Sequence, residues 1–281
     1  MTAIAQRLQV ACRATRVAGD SILAIRESDG PIIEGARKPD GSLVTRANQV
    51  ASAAIERMIR SVFPGDVIVC KEDESSHTGA RTRSYWTVDS LNGTDGFARG
   101  TDDYCVIISY VAGNSAVVGA IYFPDCDIMV SAMKGHGAWI QVGLDQPTRL
   151  TRPGCANIKD ACMVRADNPQ SNQLYNYLAE TLGVSRQLDI HSYGHQVLAV
   201  MNSEADVVIS RVGDLAIWQV AAATCILAEM HGGVTDLRGD PIDFTGPVDL
   251  PFGSITVCST PLLPQITARL PPIETLTISA R

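Results

Sequence analysis

The 281-residue sequence contains no long apolar run. No stretch approaches the roughly 20 consecutive apolar residues that a membrane-spanning helix requires. The N-terminus also lacks the apolar core of a signal peptide. These absences predict a soluble, cytoplasmic protein without a membrane partner.

Clusters of basic residues are absent as well. The formal net charge is −7, and no run of Lys and Arg interrupts the acidic balance. Because nucleic acids are polyanions bound by clustered basic side chains, the composition argues against a nucleic-acid-binding protein. A small-molecule ligand is the favoured partner.

The cysteines form no Cys-x-x-Cys pair, which argues against a zinc site or a redox-exchange motif. All eight are scattered, and several stand inside apolar stretches. We therefore expect reduced thiols, mostly in the core. They are Cys12, Cys70, Cys105, Cys126, Cys155, Cys162, Cys225 and Cys258.

What is present is enough apolar sequence for a large core. With 46% hydrophobic and 19% charged residues, the chain suits one large domain or two close-packed halves. Apolar residues at helical spacing predict helices from about residue 4 to 29 and from about 45 to 62. Short Val- and Ile-rich segments at 105–111, 116–123 and 128–132 predict antiparallel strands joined by hairpins.

A polar connector at 147–153 separates the antiparallel part from a second series of strands and helices. We predict an N-terminal half at 1–147 and a C-terminal half at 148–281, forming one compact unit with the functional site in the cleft between them.

The most informative stretch runs from Tyr85 to Phe97, where an apolar strand leads into a polar turn. The turn offers the Asp89 carboxylate, the Gly93 backbone and the Thr94 hydroxyl, which suit a small polar ligand at a strand end. Taken alone, the pattern also fits a turn whose Asp and Asn only cap backbone groups.

Its surroundings favour the first interpretation. The stretch resembles the signature W-x-V-D-P-x-D-G-T-x-x-F of the inositol monophosphatase family. Residues 38–48 resemble its K-x-D-G-S-x-V-T-x-A-D segment, and residues 192–199 its S-x-G-S-A-A segment. Residues 218–223 and 229–236 resemble its W-D-x-A-A-G helix and the glycine-rich exit that follows. The resemblance implies a layered αβαβα sandwich, an α/β (α+β) fold, and a homodimer that binds small phosphorylated molecules.

In this family, the resemblance implies, five carboxylates hold magnesium beside a phosphate ester. Here only Asp89 remains, and the other four positions carry Asn48, Lys71, Asn92 and Gln219. A one-residue slip in the alignment would place Glu72 instead of Lys71 at the ligand position, and the sequence leaves both alignments open. If metal is retained, the remaining candidate ligands are Glu72, Asp89 and the Leu91 carbonyl.

The replaced ligands lead to an expectation about cofactors. Magnesium prefers anionic oxygen ligands, and amides replace them poorly. An ammonium about 4 Å away repels a divalent ion by roughly 8 kcal/mol at an effective dielectric constant near 20. We therefore expect no cofactor, with magnesium only if phosphatase activity is retained.

The expected function is metal-independent, non-hydrolytic acid-base or elimination chemistry on a phosphorylated sugar, cyclitol or nucleotide. The alternatives are a non-catalytic pseudophosphatase and a weak magnesium-dependent phosphomonoesterase. Lysine suits phosphate as a point charge, and a desolvated lysine can also act as a base or a nucleophile. The predicted catalytic residues are Lys71, Asp89, His195 and Thr45. The predicted substrate-binding residues are Lys38, Asn92, Gly93, Thr94, Gln196, Arg211 and Gln219.

Overall fold

The structure is a computed structural model, and it describes residues 2–30, 35–37, 43–78, 84–151, 154–165 and 172–276. The helices within these ranges are α1 (Ala3–Asp29), α2 (Arg46–Val62), α3 (Thr94–Ala98), α4 (Asn172–Leu182), α5 (Tyr193–Met201), α6 (Ile217–Ala228) and α7 (Leu263–Thr267). Both predicted N-terminal helices are present. The Thr2 side chain caps α1 by accepting the Ala5 N–H, and Gly30, with φ of 90°, follows its end.

The same ranges contain fourteen strands. They are β1 (Ala36–Arg37), β2 (Leu43–Val44), β3 (Val67–Cys70), β4 (Ser84–Asn92), β5 (Cys105–Ala112), β6 (Ser115–Phe123), β7 (Ile128–Met133), β8 (Ala138–Val142), β9 (Thr148–Arg149), β10 (Cys162–Arg165), β11 (Arg186–Asp189), β12 (Val207–Ser210), β13 (Gly233–Thr235) and β14 (Ser254–Val257).

The larger sheet holds seven strands in the order β3-β4-β5-β6-β7-β8-β9. All its neighbours are antiparallel except β3 and β4, which run parallel. Alternate residues of β4 and β5 belong to two different apolar clusters, because successive side chains on a strand point to opposite faces. Both faces of this sheet are therefore covered.

The smaller of the two main sheets holds five strands in the order β11-β10-β12-β14-β13, and β1 and β2 pair as a separate two-stranded sheet. The first three of the five run parallel, and β14 is antiparallel to both of its neighbours. The parallel pairs are linked through α4 and α5, as parallel strands require a crossover connection.

The helices form the remaining layers. α1 and α2 pack on one face of the seven-stranded sheet, and α6 contacts its other face and also β13 of the smaller sheet. The predicted layered αβαβα sandwich is confirmed. Among the described residues, no helix is both long enough and apolar enough to cross a membrane.

The division at residue 147 stays a prediction. The structure places β9 of the larger sheet at Thr148–Arg149, and β10 of the smaller sheet begins at Cys162. The predicted dimer and the cytoplasmic location also stay predictions. The eight cysteines are free thiols, and five of them are buried.

Candidate functional site

A cleft of about 320 Å³ gathers polar side chains from both sheets. One side carries Lys71, which follows β3, and the turn between β4 and α3. The other side carries the N-terminal part of α5 and the segment between β12 and α6. The lining residues are Leu43, Lys71, Asn92, Gly93, Thr94, Asp95, Tyr175, His191, Ser192, Tyr193, Gln196, Ser210, Arg211, Asp214, Leu215 and Gln219.

The Asp89 carboxylate lies beneath this cleft and is fully buried. Its Oδ1 accepts a hydrogen bond from Lys71 Nζ at 3.1 Å, and its Oδ2 accepts one from Asn92 Nδ2 at 3.1 Å. Lys71 Nζ is also 3.4 Å from the Leu91 carbonyl oxygen. A buried carboxylate is stable only when it is paired and hydrogen-bonded, and these two side chains supply both conditions.

Burial by itself would lower the pKa of Lys71. The nearby Asp89 and Glu72 carboxylates outweigh that effect and raise it above its ordinary value. The Lys71 side chain therefore carries a positive charge. A charged ammonium is neither a base nor a nucleophile, so this arrangement argues against the Schiff-base role that a desolvated lysine would allow.

The backbone explains how Lys71 and Asp89 meet. Cys70 is paired with Val88 in the parallel β3–β4 register, and the Lys71 N–H donates to the Val88 carbonyl at 3.0 Å. The residues that follow this pair, Lys71 and Asp89, therefore lie side by side. Glu72 is close as well, and its Oε1 accepts a hydrogen bond from Asn48 Nδ2 at 3.0 Å.

Two asparagines bridge this network to the protein backbone. Asn48 Oδ1 accepts hydrogen bonds from the backbone N–H and the hydroxyl of Thr45, both at 2.9 Å. Asn92 Oδ1 accepts the Gly194 N–H at 2.9 Å. Each amide oxygen thus faces a protein donor, and each amide nitrogen faces a carboxylate.

The turn after β4 depends on Gly93. Its φ is 85°, a conformation that side chains rarely adopt, and an added Cβ would overlap the Asp103 carbonyl oxygen. The turn brings the Thr94 hydroxyl to the Leu91 carbonyl, to which it donates at 3.1 Å. Gly93 and Thr94 thereby line the cleft beside Lys71.

Two glutamines line the cleft, and one presents a hydrogen-bond donor to a ligand while the other presents an acceptor. Gln219 Oε1 accepts the Ala216 N–H at 2.8 Å at the start of α6, which leaves its amide N–H groups available to donate to a ligand. Gln196 Nε2 donates to the carbonyls of Ile190 and His191, so this side chain presents its oxygen. A ligand hydroxyl could bond with either residue.

Arg211 and Asp214 lie on the segment before α6. Arg211 Nη2 is 3.2 Å from Asp214 Oδ1, and Arg211 Nε is 3.3 Å from Asp214 Oδ2. These contacts use two of the five guanidinium donors. Tyr175 of α4 is near the pair, and burial together with the Asp214 charge raises its pKa above the ordinary value, so its hydroxyl is neutral.

His195 does not join this group. Its Nδ1 lies 3.0 Å from Ser192 Oγ and 3.2 Å from Asp103 Oδ1, and its ring packs edge-on against Phe123. It lines a separate groove on the other side of α5. Residues 195 and 196 are successive on α5, so their side chains point about 100° apart around the helix axis, and Gln196 lines the cleft whereas His195 lines the groove.

The other predicted residues divide between the cleft and the layer beneath it. Asn92, Gly93, Thr94, Gln196, Arg211, Gln219 and Lys71 line the cleft. Thr45, Asp89 and Leu91 are buried below it, and Glu72 is partly exposed. Lys38 lies outside the described residues. The functional roles assigned to these residues stay predictions.

Sequence reasoning missed several lining residues and one contact. Tyr175 belongs to no motif, and only the packing of α4 brings it to the cleft. Residues Glu74–His77 form a 3₁₀ helix. The His77 ring stacks on Trp218 with centroids 4.7 Å apart, which holds this helix against the start of α6.

The sequence matches the inositol monophosphatase family over residues 4–271. The chain belongs to this family.

Named relatives give the comparison more detail. The chain is 26% identical over 239 residues to the 3'(2'),5'-bisphosphate nucleotidase CysQ of Salmonella typhimurium, covering 85% of this chain and 94% of that protein. It is 26% identical over 202 residues to a histidinol-phosphatase of Chlorobaculum parvum, covering 72% of this chain and 75% of that protein. An inositol monophosphatase structure from Anabaena has a TM-score of 0.75 at 19% identity and covers 98% of this chain and 100% of that one.

These findings correct two expectations. Metal-independent, non-hydrolytic chemistry is wrong as the main prediction, because the relatives are named as a nucleotidase and a phosphatase, which are hydrolytic enzymes. The expectation that no cofactor is used is also wrong, because membership in this family points to a metal. Both expectations gave too much weight to the replaced carboxylates.

The side chains of this chain nevertheless fit a magnesium ion poorly in the arrangement described. Among the described residues, no three His, Cys, Asp or Glu side chains are grouped so that they could hold a metal. The Lys71 ammonium contacts both Asp89 Oδ1 and the Leu91 carbonyl, and the oxygens of Asn48 and Asn92 are bound to protein donors. We therefore derive no reaction step through a metal ion.

Proposed function

We propose that the chain is a phosphomonoesterase that hydrolyses a small phosphorylated molecule bound in the cleft. The observation that supports it most is the polar lining of this cleft, which combines Lys71, the Gly93–Thr94 turn, Gln219 and Arg211. Phosphate groups are bound by cationic side chains and by N–H donors, and the cleft offers both. The relatives named as phosphatases support the same reaction class.

Each group has a distinct task in this proposal. Lys71 supplies a fixed positive charge at the end of the cleft formed by the turn, and Gln219 donates N–H groups to the ligand. The oxygen of Gln196 accepts a hydrogen bond from a hydroxyl of the ligand. Arg211 supplies a second cationic group for another anionic part of the same molecule.

The substrate class follows from the spacing of charge. Lys71 and Arg211 follow strands of different sheets and reach the same cleft, so a ligand with two anionic groups satisfies both. A nucleotide with two phosphates has this chemistry, and the CysQ relatives are named for such substrates. We therefore place bisphosphorylated nucleotides ahead of sugar or cyclitol monophosphates.

Phosphate release from a purified sample tests the proposal. Adenosine 3',5'-bisphosphate, inositol 1-phosphate and histidinol phosphate would each be incubated with the protein in magnesium chloride and in EDTA. We expect release of inorganic phosphate, fastest from the bisphosphate. If no compound is hydrolysed under either condition, the proposed activity is wrong.

A second candidate is a non-catalytic protein that binds the same ligands. The Lys71–Asp89 ion pair favours it, because the ammonium engages the carboxylate that the family uses for metal. Calorimetric binding measurements with the same compounds separate the two candidates. Binding without phosphate release would support the second, and neither binding nor release would refute both.

A further inference from the structure

Lys71 and Gln219 line the cleft from different elements, and each directly follows a residue that contacts His77. Lys71 follows Cys70, the last residue of β3, and Gln219 follows Trp218 in the first turn of α6. His77 Nε2 lies 2.8 Å from the Cys70 carbonyl oxygen, and the His77 ring stacks on Trp218 with centroids 4.7 Å apart. One side chain therefore connects the element before Lys71 with the element that carries Gln219.

These two contacts fix the orientation of the His77 ring. A carbonyl oxygen only accepts hydrogen bonds, so Nε2 is protonated and donates to Cys70. The planes of the two rings are inclined by 30°, and Trp218 is only 7% exposed, so its ring is a firmly packed surface. A shift of either Cys70 or Trp218 away from His77 would break one of the contacts.

The 3₁₀ helix that carries His77 is attached to the end of β3. Cys70 N–H donates to Ser76 Oγ at 3.0 Å, and Asp73 N–H donates to the Cys70 carbonyl at 3.0 Å. The Asp73 side chain caps the same helix by accepting the Ser75 N–H at 3.1 Å. Both backbone polar groups of Cys70 are thus bonded to this segment, and His77 carries its contact with α6.

The separation of β3 and α6 matters for a ligand that bonds with both Lys71 and Gln219. Hydrogen bonds to such a ligand require donor–acceptor distances of about 2.7–3.2 Å. A displacement of about 1 Å caused by a residue outside the site can lower a rate about 100-fold. A contact that sets this separation therefore affects both donors together.

We propose that His77 is a positioning residue that sets the separation of Lys71 and Gln219 across the cleft. It acts through Cys70 and Trp218, and it does not itself line the cleft. The proposal rests on the proposed function, because it concerns phosphorylated ligands that bond with both cleft residues.

Isothermal titration with adenosine 3',5'-bisphosphate in EDTA tests the proposal. His77→Ala removes both contacts, and His136→Ala is the control, because it removes an exposed imidazole outside the cleft. We expect His77→Ala to weaken binding about tenfold and His136→Ala to match wild type. The titrations would be made at a temperature at which urea denaturation shows every variant to be folded.

A double-mutant cycle with Gln219→Met separates positioning from a general loss of structure. Gln219→Met removes the donor that His77 positions and keeps a side chain of similar length. In that background, we expect His77→Ala to change the affinity by less than about twofold. An equal loss of affinity in both backgrounds, or wild-type affinity of His77→Ala, would overturn the proposal.

Two conservative variants carry the test if His77→Ala does not fold. His77→Phe keeps a ring on Trp218, and His77→Gln keeps an N–H donor for Cys70. We expect each to bind the bisphosphate severalfold more weakly than wild type and to lose this difference in the Gln219→Met background. Unchanged binding by both variants would refute the proposal. A wild type that neither binds nor hydrolyses the bisphosphate would instead refute the proposed function, and this proposal with it.

Discussion

At the scale of single residues, the cleft depends on side chains whose hydrogen-bonding capacity is already partly used. Asn92 illustrates this, since its oxygen accepts from Gly194 and its nitrogen donates to Asp89. An asparagine can fulfil both roles, whereas an aspartate has no N–H to donate. The replacement of a family carboxylate by Asn92 is thus compatible with the observed network.

Asn92→Asp should therefore destabilise the protein. It places a second carboxylate beside buried Asp89 and removes one hydrogen bond, and we expect the free energy of unfolding to fall by about 1–3 kcal/mol. Urea denaturation at pH 7 measures this. Asn157→Asp is the matched control, because its exposed side-chain oxygen caps Lys159 N–H and a carboxylate can do the same. Equal stability of both variants would contradict the expectation.

Arg211→Ala tests the second anionic contact. Without the guanidinium, we expect the KM for adenosine 3',5'-bisphosphate to rise about tenfold or more, with a smaller effect on a substrate that has one phosphate. A charge-assisted hydrogen bond of about 1.5–3 kcal/mol corresponds to a change of this size. Arg238→Ala is the control, because Arg238 is exposed and stacks on Phe252. Equal KM increases for both substrates would count against Arg211 as a second anion contact.

At the scale of single elements, α5 is held at its N-terminus by Asp103. Ser192 is its N-cap residue, and both its hydroxyl and its backbone N–H donate to the Asp103 carboxylate. Burial alone would raise the pKa of Asp103. Hydrogen bonds from His195 and Ser192 outweigh burial and lower the pKa from 3.8 to about 2. The carboxylate therefore ties α5 to the loop before β5.

Asp103→Asn should lower stability in a pH-dependent manner. Because the folded pKa is depressed, the stabilisation is fully present above the unfolded value of 3.8 and is lost as the pH falls through about 2. We expect the variant to be about 2 kcal/mol less stable than wild type at pH 7, with a difference that shrinks between pH 4 and pH 2. Urea denaturation across this range measures it. A difference independent of pH would show that the charge of Asp103 is not responsible.

The local sequence pattern predicts helices and strands well, but it predicts poorly which way a side chain points. The helical spacing of Ile4 to Ile25 gave α1 almost to its ends. By contrast, His195 lies in a segment that matches the family but points away from the cleft, because one residue along a helix turns the side chain by about 100°. The contact between His77 and Trp218 joins residues far apart in the sequence, and no local signal reports such a contact.

The positions at which the family has metal-binding carboxylates are also difficult to interpret from sequence alone. Four amide or lysine replacements, each considered singly, favour loss of hydrolytic function, whereas the relatives are named as hydrolytic enzymes. The parallel register of β3 and β4 is what places Lys71 beside Asp89, and that pairing is a long-range feature. From the sequence alone, both Lys71 and Glu72 remained candidates for this place.

At the scale of the whole molecule, the layers pack closely because small residues lie where they meet. Gly119 of β6 faces α6, and an added Cβ would lie 2.6 Å from the Ala222 carbonyl oxygen. Close packing of this kind tolerates no extra methyl group unless the helix moves. Because α6 also carries Gln219 and Trp218, its position affects the cleft.

Gly119→Ala should therefore lower the free energy of unfolding by about 1–3 kcal/mol. Gly65→Ala is the matched control, because an added Cβ there would meet no atom within 4 Å. Thermal and urea denaturation of both variants measure the effect. If Gly119→Ala is as stable as Gly65→Ala, α6 does not pack as tightly on β6 as described.

The cleft also has a consequence for folding kinetics. It is lined by residues from Leu43 to Gln219, and Lys71 and Arg211 follow strands of different sheets. Contacts between residues so far apart in sequence form slowly, because the intervening chain must first be closed into loops. Neither sheet alone contains the binding surface. A ligand therefore stabilises only the completed fold, so it should slow unfolding without accelerating the early folding steps.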